Sequence, residues 1–160
     1  MNDMIRPADL FFTTSGSIVS QAIRRRTWGK YSHVQIVAVA STQGIDVVSA
    51  DKEGVMLRRI REDEWLHSAI LTLPGMTIKE RNDVVKFCFS KIGAGYDFLG
   101  LADFLLNKDL QVEDRYFCSE LVFLAYKTAG IMLQERVDHA FISPRDLYIS
   151  PLLRVMEERE

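Results

Sequence analysis

Two side chains in this 160-residue chain have the chemistry of a nucleophile and of a general base, and the first is Cys118. It follows a polar run, residues 112–115, and precedes a segment whose apolar residues recur at helical spacing. The pattern places Cys118 in the first turn of a helix, where unpaired backbone N–H groups and the positive end of the helix dipole stabilise a thiolate. A pKa lowered in this way makes a cysteine nucleophilic near neutral pH. The alternative is a buried structural thiol, which describes most free cysteines.

A nucleophilic cysteine needs a base to accept its proton, and the chain offers three histidines. His67 ends a polar stretch, which favours a solvated side chain, and His139 lies in a loop, where it stays a candidate. His33 lies near the start of a predicted strand, residues 31–40, so packing holds its side chain in a fixed direction. We therefore expect His33 to be the base. The alternative is a core histidine that is hydrogen-bonded to a neighbour.

The base needs a third group that orients it, and the neighbouring strand supplies candidates. A hairpin turn at residues 42–44 places Ser49 and Asp51 across from His33, on the same face of the sheet. An ionised Asp51 would stabilise an imidazolium better than the Ser49 hydroxyl. Gln35 shares this face and is expected to orient the base or bind an oxyanion, while the backbone N–H of Cys118 is the first oxyanion donor.

The remaining pattern indicates the elements that position these residues. We predict strands at 9–13, 31–40, 45–50, 55–60 and 69–73, and helices at 18–26, 61–67, 77–92, 96–106 and from Cys118. A short helical turn over 143–148 precedes the C-terminal tail. Strands segregated from helices imply a single α+β domain over residues 1–160. Cys88 falls in the middle of the helix predicted at 77–92, on its apolar side, and is assigned to the core.

Composition excludes several classes of protein. A net charge of −2 argues against a nucleic-acid binder, and Arg24–Arg26 is interpreted as a solvated helix end. No apolar run is long enough to span a membrane. Two cysteines make neither a disulfide scaffold nor a zinc site, so we expect no metal and no cofactor. The N-terminus lacks the pattern of a cleaved leader, which predicts a cytoplasmic protein, or one exported by another route.

Four short segments follow one another in a distinctive order: Tyr31–Val34, Gly95–Asp97, Phe117–Val122 and Ser143–Leu147. Together they resemble the permuted YiiX-type branch of the NlpC-like cysteine peptidase superfamily. Residues 8–12 and 47–50 resemble strands of the same family. The likeness spans nearly the whole chain, and it implies a circularly permuted papain-like domain with an antiparallel sheet packed against helices.

This resemblance implies that Cys118 is the nucleophile and His33 the base. The third catalytic position is occupied by Ser49, where many relatives have a glutamate, so the orienting role stays open between Ser49, Asp51 and Gln35. Gln35 itself replaces a residue that is commonly small in the family. Tyr96 matches a family tyrosine near the active site, although a core role for it is an equal alternative.

The resulting hypothesis is a cysteine hydrolase that cleaves an amide or peptide bond, with a cell-wall peptide as the favoured substrate, through a thioester intermediate. Neither a nucleic-acid partner nor a particular oligomeric state is indicated. One alternative is a binding domain of the same fold that is catalytically impaired by the serine at position 49. Another is acyl transfer on lipid, for which an apolar entrance would be lined by Phe98, Leu99, Leu101, Phe104 and Leu105.

Overall fold

The computed structural model describes residues 4–96, 115–135 and 142–160. Its strands are β1 (Leu10–Thr13), β2 (His33–Ser41), β3 (Gly44–Asp51), β4 (Gly54–Arg59), β5 (Ser68–Thr72), β6 (Gly95–Tyr96), β7 (Arg115–Tyr116) and β8 (Arg154–Arg159). Its helices are α1 (Ile18–Thr27), α2 (Ile78–Ser90), α3 (Cys118–Thr128) and α4 (Pro144–Tyr148), with a 3₁₀ turn at Glu62–Trp65. Six strands form one antiparallel sheet in the order β4-β3-β2-β1-β5-β8, and β6 pairs with β7 in parallel. This α+β architecture confirms the predicted fold class.

Two tight turns set the register of the sheet where the candidate residues lie. Gly44 and Gly54 begin β3 and β4 with φ values of +132° and +102°, which a side chain would strain. Ile36 then pairs with Val48, and Ser49 pairs with Met56 on the far side. Because side chains alternate between the two faces, this register separates the sheet into two sets of residues.

One face of the sheet carries the main core and is covered by α2 and α3. Strand residues such as Phe12, Val34 and Ile36 pack there against Leu121 and Val122 of α3. Cys88 of α2 is fully buried in this cluster. The helices are amphipathic in sequence, so burying their apolar faces holds them on the sheet.

The opposite face holds a smaller apolar cluster and the polar candidates. Phe11, Val37 and Val47 pack together there, and the Trp65 ring meets Phe11 edge-on at 5.1 Å between centroids. His33 and Gln35 alternate with Val34 and Ile36 along β2, so they lie on this second side. Polar chemistry and a small core therefore share one face.

A buried ion pair ties the first strand to α2. Arg81 donates to the Asp9 carboxylate at 2.9 Å, and the Thr72 hydroxyl donates to the same oxygen at 2.6 Å. The Asp9 side chain is fully buried and that of Arg81 is 8% exposed. The contact fixes β1, which lies between β2 and β5 at the centre of the sheet.

Three predictions about the elements were wrong in part. Tyr96 does not begin a helix, because Gly95 and Tyr96 pair with Arg115 and Tyr116 as a short strand, and the rest of the predicted 96–106 helix lies outside the described residues. The C-terminal tail forms β8 along β5. The 61–67 helix shortens to one 3₁₀ turn. Within the described ranges, no helix has the length and apolar character to cross a membrane.

Candidate active site

The segment around Cys118 changes abruptly from strand to helix. Phe117 caps α3 with an extended backbone, and Cys118 is the first helical residue. The Ser119 hydroxyl donates to the Ile142 carbonyl at 2.6 Å and fastens this end of the helix to the chain before α4. Because the apolar side of α3 packs on β2 and β3, Cys118 faces the sheet and is only 1% exposed.

Burial and local hydrogen bonding shift the pKa of the Cys118 thiol in opposite directions. Burial raises the pKa to about 12, while the backbone N–H groups of Val34 and Ser119 act in the opposite direction. The N–H groups at the helix start do act to lower this pKa, as predicted, but desolvation of the buried thiolate outweighs them, so the net shift is upward. The involvement of Val34 is informative, since it brings the sulfur beside the strand residue that follows His33.

His33 opens β2 and is paired across the sheet with Thr13 of β1. Its ring is half-buried, and Nε2 lies 2.9 Å from the Ser49 hydroxyl oxygen. Burial lowers the pKa of His33 to about 4; the Asp51 carboxylate opposes this effect, the Arg58 guanidinium adds to it, and Glu64 opposes it again. The imidazole is therefore neutral at physiological pH.

The structure distinguishes the two β3 candidates for orienting the imidazole. Ser49 is fully buried and within hydrogen-bonding distance of His33. Asp51 is exposed, and its carboxylate accepts the backbone N–H of Lys52 at 2.7 Å, so it influences His33 by charge and not by a described hydrogen bond. With Nε2 directed at Ser49, Nδ1 is the ring nitrogen that remains for a proton from elsewhere.

Gln35 is committed to a different network. Its side-chain oxygen accepts from Arg58 at 2.6 Å, and Arg58 also makes two hydrogen bonds to Glu64, at 2.6 and 2.8 Å. Gln35 is fully buried, and its amide nitrogen has no hydrogen-bond partner among the described residues. Sequence reasoning missed Arg58 and Glu64; the β3–β4 register, which pairs Val47 with Arg58, is the signal that places Arg58 on this face.

A polar cleft of about 470 Å³ opens beside His33. One side is the loop Thr13–Ser17 with the start of α1, and the other carries Asp51, Arg58 and Glu64. Cys118 does not contribute to the described lining, which agrees with its burial. His33 thus lines the cleft, whereas Cys118 belongs to the main core on the side of the sheet that α3 covers.

The other candidates fall outside this arrangement. His67 is exposed in the turn before β5. His139 and the five apolar residues proposed to line an entrance lie outside the described residues, as does the side chain of Tyr96. Among the side chains that can be placed, no group of histidine, cysteine and carboxylate residues is arranged to hold a metal ion.

Comparison with known proteins gives consistent matches. The family model described as permuted papain-like amidase enzyme, YaeF/YiiX, C92 family, matches residues 4–141. The probable lipoprotein peptidase YaeF of Escherichia coli K12 is 24% identical over 180 residues, which cover 89% of this chain and 62% of that protein. The crystal structure of the metalloprotein yiiX from Escherichia coli O157:H7 shares the fold at a TM-score of 0.74 and 19% identity, covering 96% of this chain and 97% of that one.

Proposed function

Since the chain belongs to the permuted papain-like amidase family of YaeF and YiiX, the C92 family, we propose that it is a cysteine hydrolase with Cys118 as nucleophile and His33 as base. The family itself indicates a hydrolase of the amidase or peptidase kind. The residue roles, the covalent mechanism and the substrate are the parts that this proposal adds.

The observation that carries the proposal is that Cys118 lies against the β2 backbone at Val34, one residue after His33. The Val34 N–H acts on the Cys118 thiol, while His33, one residue earlier, is held through Nε2 by Ser49. For Nδ1 to accept a proton, the neutral ring must carry its hydrogen on Nε2 and donate it to the Ser49 oxygen. Ser49 can accept that hydrogen, so the contact is compatible with the tautomer that the base requires.

The pKa values favour proton transfer during attack over a preformed ion pair. With Cys118 raised to about 12 and His33 lowered to about 4, thiol and imidazole are both neutral at pH 7. The sulfur attacks the substrate carbonyl as Nδ1 takes the thiol proton, and the developing oxyanion accepts from the backbone N–H of Cys118. The imidazolium then protonates the leaving amine, which leaves a thioester that water hydrolyses with His33 again as base.

The composition of the cleft lining favours a polar substrate. Its lining combines cations and carboxylates, among them Arg61 and Asp63, with the hydroxyl groups of the 13–17 loop. Such a lining suits a peptide that carries charges of both signs better than an acyl chain. A cell-wall peptide has this character, and we propose it as the substrate class.

The test is cleavage of short cell-wall peptides with mass spectrometry of both peptide and protein. We expect a thioester adduct on the Cys118 peptide and released amine product. Cys118→Ala abolishes both, whereas the matched variant Cys88→Ala lowers stability and spares the chemistry, because Cys88 is buried in the core away from the cleft. Cleavage that persists in folded Cys118→Ala would exclude the nucleophile.

A binding domain without turnover is the second candidate function. Two observations favour it: the third position is a serine, which stabilises an imidazolium less than a carboxylate would, and the thiol is 1% exposed. This alternative predicts that peptides bind equally to wild type and to Cys118→Ala and are recovered intact.

A further inference from the structure

Large apolar side chains are exposed to solvent at both ends of α1. Ile18 is 85% exposed and Trp28, the residue after the helix, is 89% exposed. Trp28 adopts a left-handed conformation with φ of 54°, and its N–H donates to the Arg24 carbonyl, so the turn itself directs the indole outward. The helix α1 therefore carries one strongly exposed apolar side chain at each end.

The same surface is rich in cations. Arg24, Arg25 and Arg26 are all exposed in the last turn of α1, and the sequence has no acidic residue between Asp9 and Asp46. The side chain of Arg145 begins nearby, since its Cβ lies 3.1 Å from where a Cβ on Gly29 would be placed. A groove of about 880 Å³ runs between the arginines and the indole, lined by Ser15, Gly16, Gln21, Arg24, Arg25, Trp28 and Gly29.

We propose that this α1 face, formed by Ile18, Arg24, Arg25 and Trp28, docks on the surface of an anionic membrane. Tryptophan is suited to the headgroup level of a bilayer, because its ring is apolar and its N–H needs a polar partner. Arginine side chains bury their aliphatic stems at such an interface and pair with lipid phosphates. The combination of cations with protruding aliphatic and indole side chains fits a lipid surface better than a nucleic acid, because a bilayer offers an apolar layer beneath its phosphates.

Docking through α1 would orient the cleft. The residues before and at the start of α1, including Ser17 and Val19, line the cleft that His33 faces. The arginines and Trp28 lie at the C-terminal end of α1, about 15 Å along the helix axis from Ile18 and from the cleft-lining residues at its start. A substrate held at the membrane would be presented to the cleft.

Co-sedimentation with vesicles tests the docking surface. Vesicles of phosphatidylcholine with 30% phosphatidylglycerol, and vesicles of phosphatidylcholine alone, are pelleted with the 160-residue chain at about 0.1 M salt. We expect binding to the anionic vesicles, with a blue shift of tryptophan emission that Trp28→Phe removes. Replacing Arg24 and Arg25 by glutamine weakens partitioning roughly 25-fold, about fivefold for each charge, and Trp28→Ser weakens it roughly tenfold.

Matched controls separate the α1 face from general charge and from catalysis. Replacing the exposed residues Lys86 and Lys127 by glutamine changes net charge equally on other helices, and Ile78→Ser removes an aliphatic residue of α2 about as exposed as Ile18. These variants and Cys118→Ser bind like wild type, so the outcome does not depend on the proposed hydrolysis. Equal binding to both vesicle types, equal loss in the lysine control, or binding of RNA in place of vesicles would overturn the proposal.

Discussion

Replacing His33 by glutamine tests whether the imidazole serves the Cys118 thiol. Glutamine keeps a polar side chain near Ser49 but cannot accept a proton at neutral pH. If His33 is the base, the rate constant for alkylation of Cys118 by iodoacetamide falls in the variant, although Cys118 itself is unchanged. The size of this decrease in the alkylation rate depends on the contact that holds His33 to Ser49 and on the burial of Cys118.

The magnitude follows from the two pKa values. A thiol with a pKa of about 12 is ionised to only about one part in 10⁵ at pH 7, whereas an ordinary thiol is ionised to about 3%. General bases contribute roughly 10²–10⁴ in rate, and a base with a pKa of about 4 belongs at the low end because it is weak. We therefore expect His33→Gln to slow modification of Cys118 about a hundredfold at pH 7. The two rates approach each other towards pH 11, where hydroxide generates the thiolate directly.

The assay is peptide mapping by mass spectrometry after timed alkylation from pH 4 to pH 11, which reads Cys118 and Cys88 separately. Cys88 reports any opening of the core in the same sample, since it is buried on α2. His67→Gln is the matched control, because His67 is exposed and outside the site. An unchanged Cys118 rate in His33→Gln at pH 7, with Cys88 equally protected in both proteins, would refute the pairing of His33 with Cys118.

Three further predictions concern the charges around the base and the fold that holds it. In an NMR titration of the His33 ring, Arg58→Gln raises the pKa above about 4 because a cation is removed, and Glu64→Gln lowers it; shifts of the same sign in both variants would contradict the assignment. The folded state binds a proton at His33 less readily than the unfolded state does. The free energy of unfolding therefore falls by roughly 3 kcal/mol as pH drops from about 6.5 towards about 4. In urea denaturation of His33→Gln, the free energy of unfolding depends less steeply on pH in that range. Arg81→Met leaves the Asp9 carboxylate buried without its cationic partner and lowers the free energy of unfolding, measured by urea denaturation, by about 3–5 kcal/mol. A second change, Asp9→Asn, recovers part of this loss. A loss below about 1 kcal/mol would mean that the ion pair is dispensable.

The position of the candidate residues could be predicted from local pattern alone. The switch from a polar run to helical spacing located Cys118 at the start of α3, and the alternation along β2 and β3 placed His33 and Ser49 on one face. Both signals are local, because helix and strand periods are properties of neighbouring residues. The edge strand β8 escaped prediction because only Val155 and Met156 interrupt its charged residues, and its pairing with β5 supplies what its sequence lacks.

The energetics of the site could not be predicted, because they depend on elements far apart in sequence. The pKa of Cys118 reflects packing of α3 on β2 and β3, which no feature of residues 115–126 reveals. Ser49 and Asp51 share a face, and only the observed distance shows that Ser49 reaches the ring. Arg58 lies on β4, which pairs with β3 and not with β2. The pattern of the β2–β3 hairpin therefore did not indicate that Arg58 reaches Gln35.

The neutral third residue and the buried thiol are consistent with each other. A carboxylate at position 49 would raise the pKa of His33 and favour an imidazolium, which in turn would favour a thiolate at Cys118. Ser49 has no charge, and Arg58 and Glu64 largely cancel each other as a hydrogen-bonded pair, so the site keeps its base and its thiol uncharged. A buried uncharged pair avoids the desolvation cost that an ion pair would carry in the absence of substrate. If Cys118 and His33 act as proposed, the serine does not by itself abolish catalysis, and the proton moves at the moment of attack and not in the resting state.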